Sequence, residues 1–176
     1  LLKEIVDNCI DEFVMGYGKV IEIDINDGRV HVRDYGRGIP LAKLRDCVGE
    51  INTGGKNKKR AFKKSVGLNG VGAKAANAAS SYFKAQSYRD NKTKIVEFSK
   101  GVLQYESELL PTDQKNGTEI TFVPDTELFG NYHFLLEYVD DMVWDYAFLN
   151  SGLSLILNGQ KYQAKNGLLD LLERKI

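Results

Sequence analysis

The sequence predicts an α+β fold built on a mixed, mostly antiparallel sheet with helices on one face. Three observations predict it. Apolar residues recur at helical spacing in separate segments, and short alternating stretches lie between them. Asp27-Gly28 marks a hairpin turn between two neighbouring strands, and Asn158-Gly159 marks a tight turn after a late one. No internal repeat is present.

The elements follow in order. Leu2, Ile5, Val6, Cys9, Ile10 and Phe13 give residues 1–15 a helix with one buried stripe, ended by Gly16 and Gly18. Residues 20–26 and 30–34 alternate as two strands around Asp27-Gly28. Residues 41–52 read as helical, and 53–66 as a polar, basic loop. Residues 73–83 follow a glycine-rich turn as an alanine-rich helix. Strands are expected over 84–88, 93–98, 102–109 and 118–123. A second long amphipathic helix covers 132–148, a strand 153–157, and a closing helix 167–174.

At 176 residues with 43% apolar side chains, the chain suits a single domain with a real core and excludes disorder. No apolar run approaches the ~20 residues that span a bilayer, so no membrane partner is expected. Cys9 and Cys47 form neither a CxxC pair nor a disulfide framework, which points to a reducing, cytoplasmic compartment. His31 and His133 with two separate thiols cannot build a zinc site. Twenty-four acidic residues balance 24 basic ones, so the domain has no global attraction to nucleic acid. Leu1 is not Met and a helical pattern is already running there, so the chain is expected to be a portion of something longer.

Four places carry chemistry. On the first helix Glu4, Asn8 and Asp11 fall opposite the apolar stripe. This is either a solvated polar face or a carboxylate base beside an amide that can ligate Mg²⁺. A strand then ends in Asp34 and breaks into Gly36 and Gly38. A buried carboxylate there could accept from the exocyclic amine of adenine, with Ile39 as an apolar wall and the glycines letting backbone lie against the base. Gly67-Leu68-Asn69-Gly70-Val71-Gly72 opens onto a helix, whose free N–H groups and dipole suit an anion. No GK[ST] follows, so it is not a Walker A loop, and no βαβ unit surrounds it. The basic loop before it carries Lys56, Lys58, Lys59, Arg60, Lys63 and Lys64, read either as a solvated charge run or as phosphate contacts. Last, Gly117-Thr118 begins a late strand, and its hydroxyl could complete adenine recognition beside Asp34.

Together and in this order, these motifs resemble the GHKL (Bergerat) ATPase superfamily, most nearly the ATPase domain of bacterial type IIA topoisomerase B subunits. The resemblance rests on Glu4 to Glu12, Asp34 to Pro40, Thr53-Gly-Gly-Lys56, Gly67 to Gly72, Gly117-Thr118 and Phe148-Leu-Asn-Ser-Gly152, and spans nearly the whole chain. It implies a two-layer Bergerat sandwich forming one domain over 1–176, with ATP and Mg²⁺ as cofactors. By that resemblance Glu4 would be the base that polarises the attacking water and Asn8 would hold Mg²⁺. Asp34, supported by Thr118, would bind the adenine amine, with Ile5, Val32, Ile39 and Ile120 lining the base pocket beside Gly36 and Gly38. Lys56 and residues Leu68, Asn69, Gly70, Val71 and Gly72 would hold the phosphates beneath a lid over 53–70. Glu12 and Arg37 match a salt bridge at the pocket mouth, and Arg37, Pro40 and Arg89 match positions that contact ATP-competitive inhibitors such as aminocoumarins.

The resemblance further implies DNA, a topoisomerase A subunit and a second B subunit as partners of the full-length protein, which would drive strand passage by ATP-dependent dimer closure. The N-terminal arm and the transducer domain of such proteins lie outside this stretch, so slow hydrolysis is expected of it alone. Asn69, where gyrase members often carry His, resembles topoisomerase IV. The alternative is a nucleotide-binding module of the chaperone-like, mismatch-repair-like or kinase-like branches without independent turnover; the Glu4-x-x-x-Asn8 pair resembles the hydrolytic members.

Overall fold

The structure, a computed structural model, describes residues 1–49, 70–126 and 136–167, together with Leu169, Leu172 and Glu173. Helix α1 (Leu2–Val14) turns Leu2, Ile5, Val6 and Cys9 into the core, while Asn8 and Glu12 are buried on an adjoining flank. The polar face expected on this helix is therefore divided. Glu4 and Asp11 are exposed, but Asn8 is buried, because a cleft rather than solvent borders that side.

Strands β1 (Val20–Asn26) and β2 (Arg29–Asp34) form a hairpin whose turn residues Asp27 and Gly28 have φ of 50° and 79°. That left-handed pair matches the right-handed twist of the strands it joins. Pro40 leads into a 3₁₀ turn (Leu41–Lys43) and helix α2 (Leu44–Val48), capped by Gly49. The helix expected over 41–52 thus ends earlier among the described residues, and 50–52 lie outside them, as do the basic loop at 53–66, Lys56, Leu68 and Asn69.

Helix α3 (Gly70–Ala78) is shorter than the alanine-rich pattern suggested. Strand β3 (Ser80–Arg89) begins where a helix was expected to continue to residue 83. The Ser80 hydroxyl donates to the Ala76 carbonyl at 2.6 Å and closes the helix. Phe83, Ala85 and Ser87 then bury at a period of two, which only a strand allows. Strands β4 (Lys92–Ser99), β5 (Val102–Glu106), β6 (Leu110–Pro111) and β7 (Gly117–Pro124) follow. The single strand expected over 102–109 is interrupted after Glu106, where the Ser107 hydroxyl accepts from the Ile95 N–H and donates to the Glu108 carbonyl. Helix α4 (Leu136–Leu149), strand β8 (Ser154–Leu157) and strand β9 (Gln160–Tyr162) complete the described elements. Strand β9, joined to β8 through Asn158-Gly159, had no counterpart in the sequence pattern. Of the helices expected at 132–148 and 167–174, residues 132–135 and most of the second lie outside the described residues.

The sheet runs β5-β4-β3-β7-β2-β1-β8-β9, with β6 beside β4. All pairings are antiparallel except β1 with β8, so the sheet is mixed as expected. Its inner face presents Ile21, Ile23, Val32, Phe83, Phe122 and Leu155, packed with Ile5, Val6, Leu44, Val48, Ala76, Val139 and Val143 of the helices in one cluster. The opposite face is polar and carries Glu22, His31, Lys84, Glu97 and Glu119. Among the described residues no helix is long and apolar enough to cross a membrane.

Candidate functional site

Register brings the site together. Val32 pairs with Ile120, and Ile120 with Ala85, so three apolar side chains from adjacent strands form a floor. Asp34, two residues beyond Val32, sits on the same face at the strand's end, 7% exposed. Above that floor α1 contributes Ile5, Asn8 and Cys9, α3 contributes Ala73, and the Gly38-Ile39 segment closes one end. The resulting cleft is narrow and partly open to solvent. Of the residues singled out in the sequence, Ile5, Asn8, Val32, Asp34, Gly38, Ile39, Thr118 and Ile120 line it together.

Asp34 is held by local geometry. Its Oδ1 accepts from the Gly36 N–H at 2.9 Å and from the Thr118 N–H at 3.2 Å. Burial pushes its carboxyl above the ordinary value, and hydrogen bonds from Gly36, Cys9 and Thr118 pull the other way. Thr118 thus meets Asp34 first through its backbone. Burial and the Asp34 charge push the Cys9 thiol well up, so it stays neutral beside that carboxylate. The Ile5 carbonyl, 3.4 Å from the Cys9 sulfur, is a second acceptor within reach of its single S–H.

The two glycines do different work. Gly36 does not line the cleft; a Cβ there would come within 3.0 Å of Glu12 Cβ and Cγ, so it lets the segment after β2 pass close to α1. Gly38 lines the cleft with φ of +80°, and its Cβ would fall 2.5 Å from the Tyr88 carbonyl oxygen.

At the mouth, Arg37 donates to both oxygens of Glu12, at 3.1 Å and 3.2 Å, and lies 4.6 Å from the Tyr17 ring centre. Arg89 donates to the Gly38 carbonyl at 3.0 Å. Arg37 and Arg89 border a second, open depression with Tyr17, Tyr35 and Asn116. Pro40 is half-buried just beyond Ile39.

Gly70, Val71 and Gly72 form the first turn of α3, which packs against α1. A Cβ on Gly72 would collide with Glu4 Oε2, so the exposed Glu4 carboxylate lies against that helix start. Glu4 and Asn8, one turn apart on α1, therefore both border the region between the cleft and the N-terminus of α3. Among the described residues no three His, Cys, Asp or Glu side chains cluster to hold a metal by themselves. A single buried amide suits Mg²⁺ only where substrate phosphates and water supply its other ligands. Sequence reasoning missed Cys9, Val48 and Ala73 as cleft residues. The four-residue spacing of Ile5 and Cys9 was a signal for the first.

A strand-end carboxylate over an apolar floor, with a glycine helix start beside a second carboxylate, makes this an α+β domain with a partly open cleft between sheet and helices. The sequence matches the family of histidine kinase-, DNA gyrase B- and HSP90-like ATPases over residues 1–128, and the chain belongs to that family. Across its whole length it is 47% identical to the B subunit of DNA topoisomerase 4 from Borreliella burgdorferi, covering 29% of that protein. It is 32% identical to the B subunit of DNA gyrase from Rickettsia felis over 93% of this chain and 21% of the relative. The fold matches the ATPase domain of Thermus thermophilus gyrase B, solved in complex with an aminocoumarin, with a TM-score of 0.77 and 28% identity. That match covers 99% of this chain and 48% of the other. The chain is thus an ATPase-family domain homologous to gyrase B and topoisomerase IV B, and spans less than a third of the curated relatives named.

Proposed function

We propose that this chain binds Mg-ATP and hydrolyses it as the single ATPase domain of a cytoplasmic type II topoisomerase, in its B subunit. The buried Asp34 carboxylate over the Ile5, Val32, Ile39 and Ile120 walls is the observation that carries the reading. It supplies a fixed acceptor for the adenine amine at the closed end of an apolar slot. The N–H groups at the start of α3 would take the phosphates, together with Lys56, Leu68 and Asn69 from the segment before it. Asn8 would ligate Mg²⁺, which when bound neutralises charge on the phosphate oxygens. Glu4, lying against Gly72, would orient the attacking water in line with the terminal phosphorus and accept its proton.

In the complete protein this hydrolysis would drive closure of two B subunits and passage of DNA with an A subunit. Arg37, Pro40 and Arg89 border the surface on which an ATP-competitive aminocoumarin would lie. The 47% identity to a topoisomerase IV relative favours that branch over gyrase. Calorimetric titration with ADP and a non-hydrolysable triphosphate, with and without Mg²⁺, tests the site. Binding that strengthens with Mg²⁺, retained in Glu4→Gln while turnover falls about 10²-fold or more, is expected. No binding of either nucleotide would overturn the proposal.

A further inference from the structure

Arg33 immediately precedes Asp34 on β2 and points to the opposite face of the sheet, yet it is only 4% exposed. Its guanidinium lies between two aromatic rings, 4.3 Å from the centre of Tyr35 and 4.4 Å from that of Tyr88. Its Nη1 donates to the Asp34 carbonyl at 2.5 Å and its Nη2 to the Lys115 carbonyl at 2.7 Å. Those carbonyls belong to two segments far apart in sequence, the end of β2 and the approach to β7. A buried cation needs such partners to offset its lost hydration, and planar arginine supplies both a stacking face and a forked donor.

The bridged segments are the ones that shape the base-binding end of the cleft. Gly117, the first residue of β7, has φ of +145°, and a Cβ on it would strike the Asp34 carbonyl oxygen and Arg33 Nη1. The next residue, Thr118, gives its N–H to Asp34 Oδ1. The chain of contacts therefore runs from the guanidinium through Lys115 and Gly117 to the atom that fixes the carboxylate.

We propose that Arg33 is a positioning residue for base recognition: clamped between Tyr35 and Tyr88, it holds the 115–117 segment against β2 and so orients the Asp34 carboxylate toward the 6-amino group of a bound purine. This rests on the assignment of adenine to Asp34. Arg33 touches no part of the nucleotide and acts on the other side of the sheet. Lysine cannot replace it, because a point charge cannot bridge two carbonyls while lying flat between two rings.

The test compares ADP with purine riboside 5′-diphosphate, which lacks the exocyclic amine, in calorimetric titrations of the wild type, Arg33→Lys and Tyr35→Leu. The wild type should prefer ADP. In Arg33→Lys the affinity for ADP should fall about tenfold while that for the analogue holds, so the preference disappears. A general loosening of the fold would weaken both nucleotides alike and would overturn the proposal, as would a preserved preference for ADP. Tyr35→Leu removes one wall of the clamp and should show the same selective loss; it decides the matter if Arg33→Lys does not fold. A wild type that does not distinguish the two nucleotides would instead refute the assignment of adenine to Asp34.

Discussion

Gly72, in the first turn of α3, stands so close to Glu4 of α1 that no side chain fits between its Cα and the Glu4 carboxylate. Nothing in the backbone of α3 demands glycine here, since the residue is helical and alanine is favoured in a helix by about 1 kcal/mol. The glycine is needed for what it faces.

Gly72→Ala is therefore expected to separate stability from turnover. The added methyl would displace the far end of an exposed, flexible side chain, so the melting temperature should hold or rise. Glu4 would lose its place beside the helix start, and hydrolysis should fall about 10²-fold with ADP binding retained. Wild-type turnover in Gly72→Ala would remove Glu4 from the role of base.

Asp34→Asn should move affinity and stability in opposite directions. Burial raises the Asp34 pKa, so the folded chain holds this proton more tightly than the unfolded chain. Stability from that difference is present below the ordinary value of 3.8 and lost as pH rises through the folded value. At pH 7 the raised value is thus a net cost to folding. Asparagine removes it and keeps an oxygen for the Gly36 and Thr118 N–H groups. Thermal unfolding of the ligand-free variant at pH 7 should occur no lower than in the wild type. Affinity for ADP should drop about tenfold or more, because the neutral amide is a poorer acceptor.

What was legible in the sequence follows from what local patterns encode. The strand-end position of Asp34, the hairpin at Asp27-Gly28 and the apolar spacing of Ile5 and Cys9 depend on a few neighbouring residues, and each can be read directly. The division of α1 was not legible, because whether Asn8 meets solvent or a cleft depends on where α3 lies. Residues 80–83 satisfied a helix locally, and pairing with β7 decided for a strand. Gly36 and Gly38 were recognisable as special, but their neighbours, Glu12 and the Tyr88 carbonyl, come from distant segments. The burial of Arg33 between Tyr35 and Tyr88 leaves no trace in a linear pattern, where a charged residue before an acid reads as surface.

On the polar face of the sheet, His31 and Glu119 give a pH-dependent contribution of defined sign. His31 Nε2 lies 3.2 Å from Glu119, and Nδ1 lies 3.6 Å from Asp24. The hydrogen bond to Glu119 raises the His31 pKa, and the same bond lowers that of Glu119. The histidine contribution is fully present below 6.5 and lost as pH rises through the raised value. The glutamate contribution is present above 4.5 and lost as pH falls through the lowered one. Chemical denaturation should therefore show stability declining by up to about 1 kcal/mol as pH rises from 6.5 through the raised His31 value, since the pair is only partly buried. His31→Gln should flatten that slope, and an unchanged slope would assign it to other groups.

Gly38 and Gly28 share one backbone conformation, φ of +80° and +79°, in different surroundings. Gly28 lies in an open turn where an added Cβ meets nothing within 4 Å. At Gly38 the same atom would fall 2.5 Å from the Tyr88 carbonyl and 3.1 Å from that of Gly117. The Gly38 segment cannot easily retreat, because the Ser87 hydroxyl donates to the Ile39 carbonyl at 2.6 Å and Arg89 donates to that of Gly38. Gly28→Ala should cost about 1 kcal/mol, the conformational term alone. Gly38→Ala should cost about 3 kcal/mol or more, lowering the melting temperature by roughly 6–12 °C in a chain of this size, and should weaken ADP binding as Ile39 shifts. Equal losses in the two variants would mean that the 38–40 segment moves freely away from β3, and that the end wall of the cleft is adjustable rather than fixed.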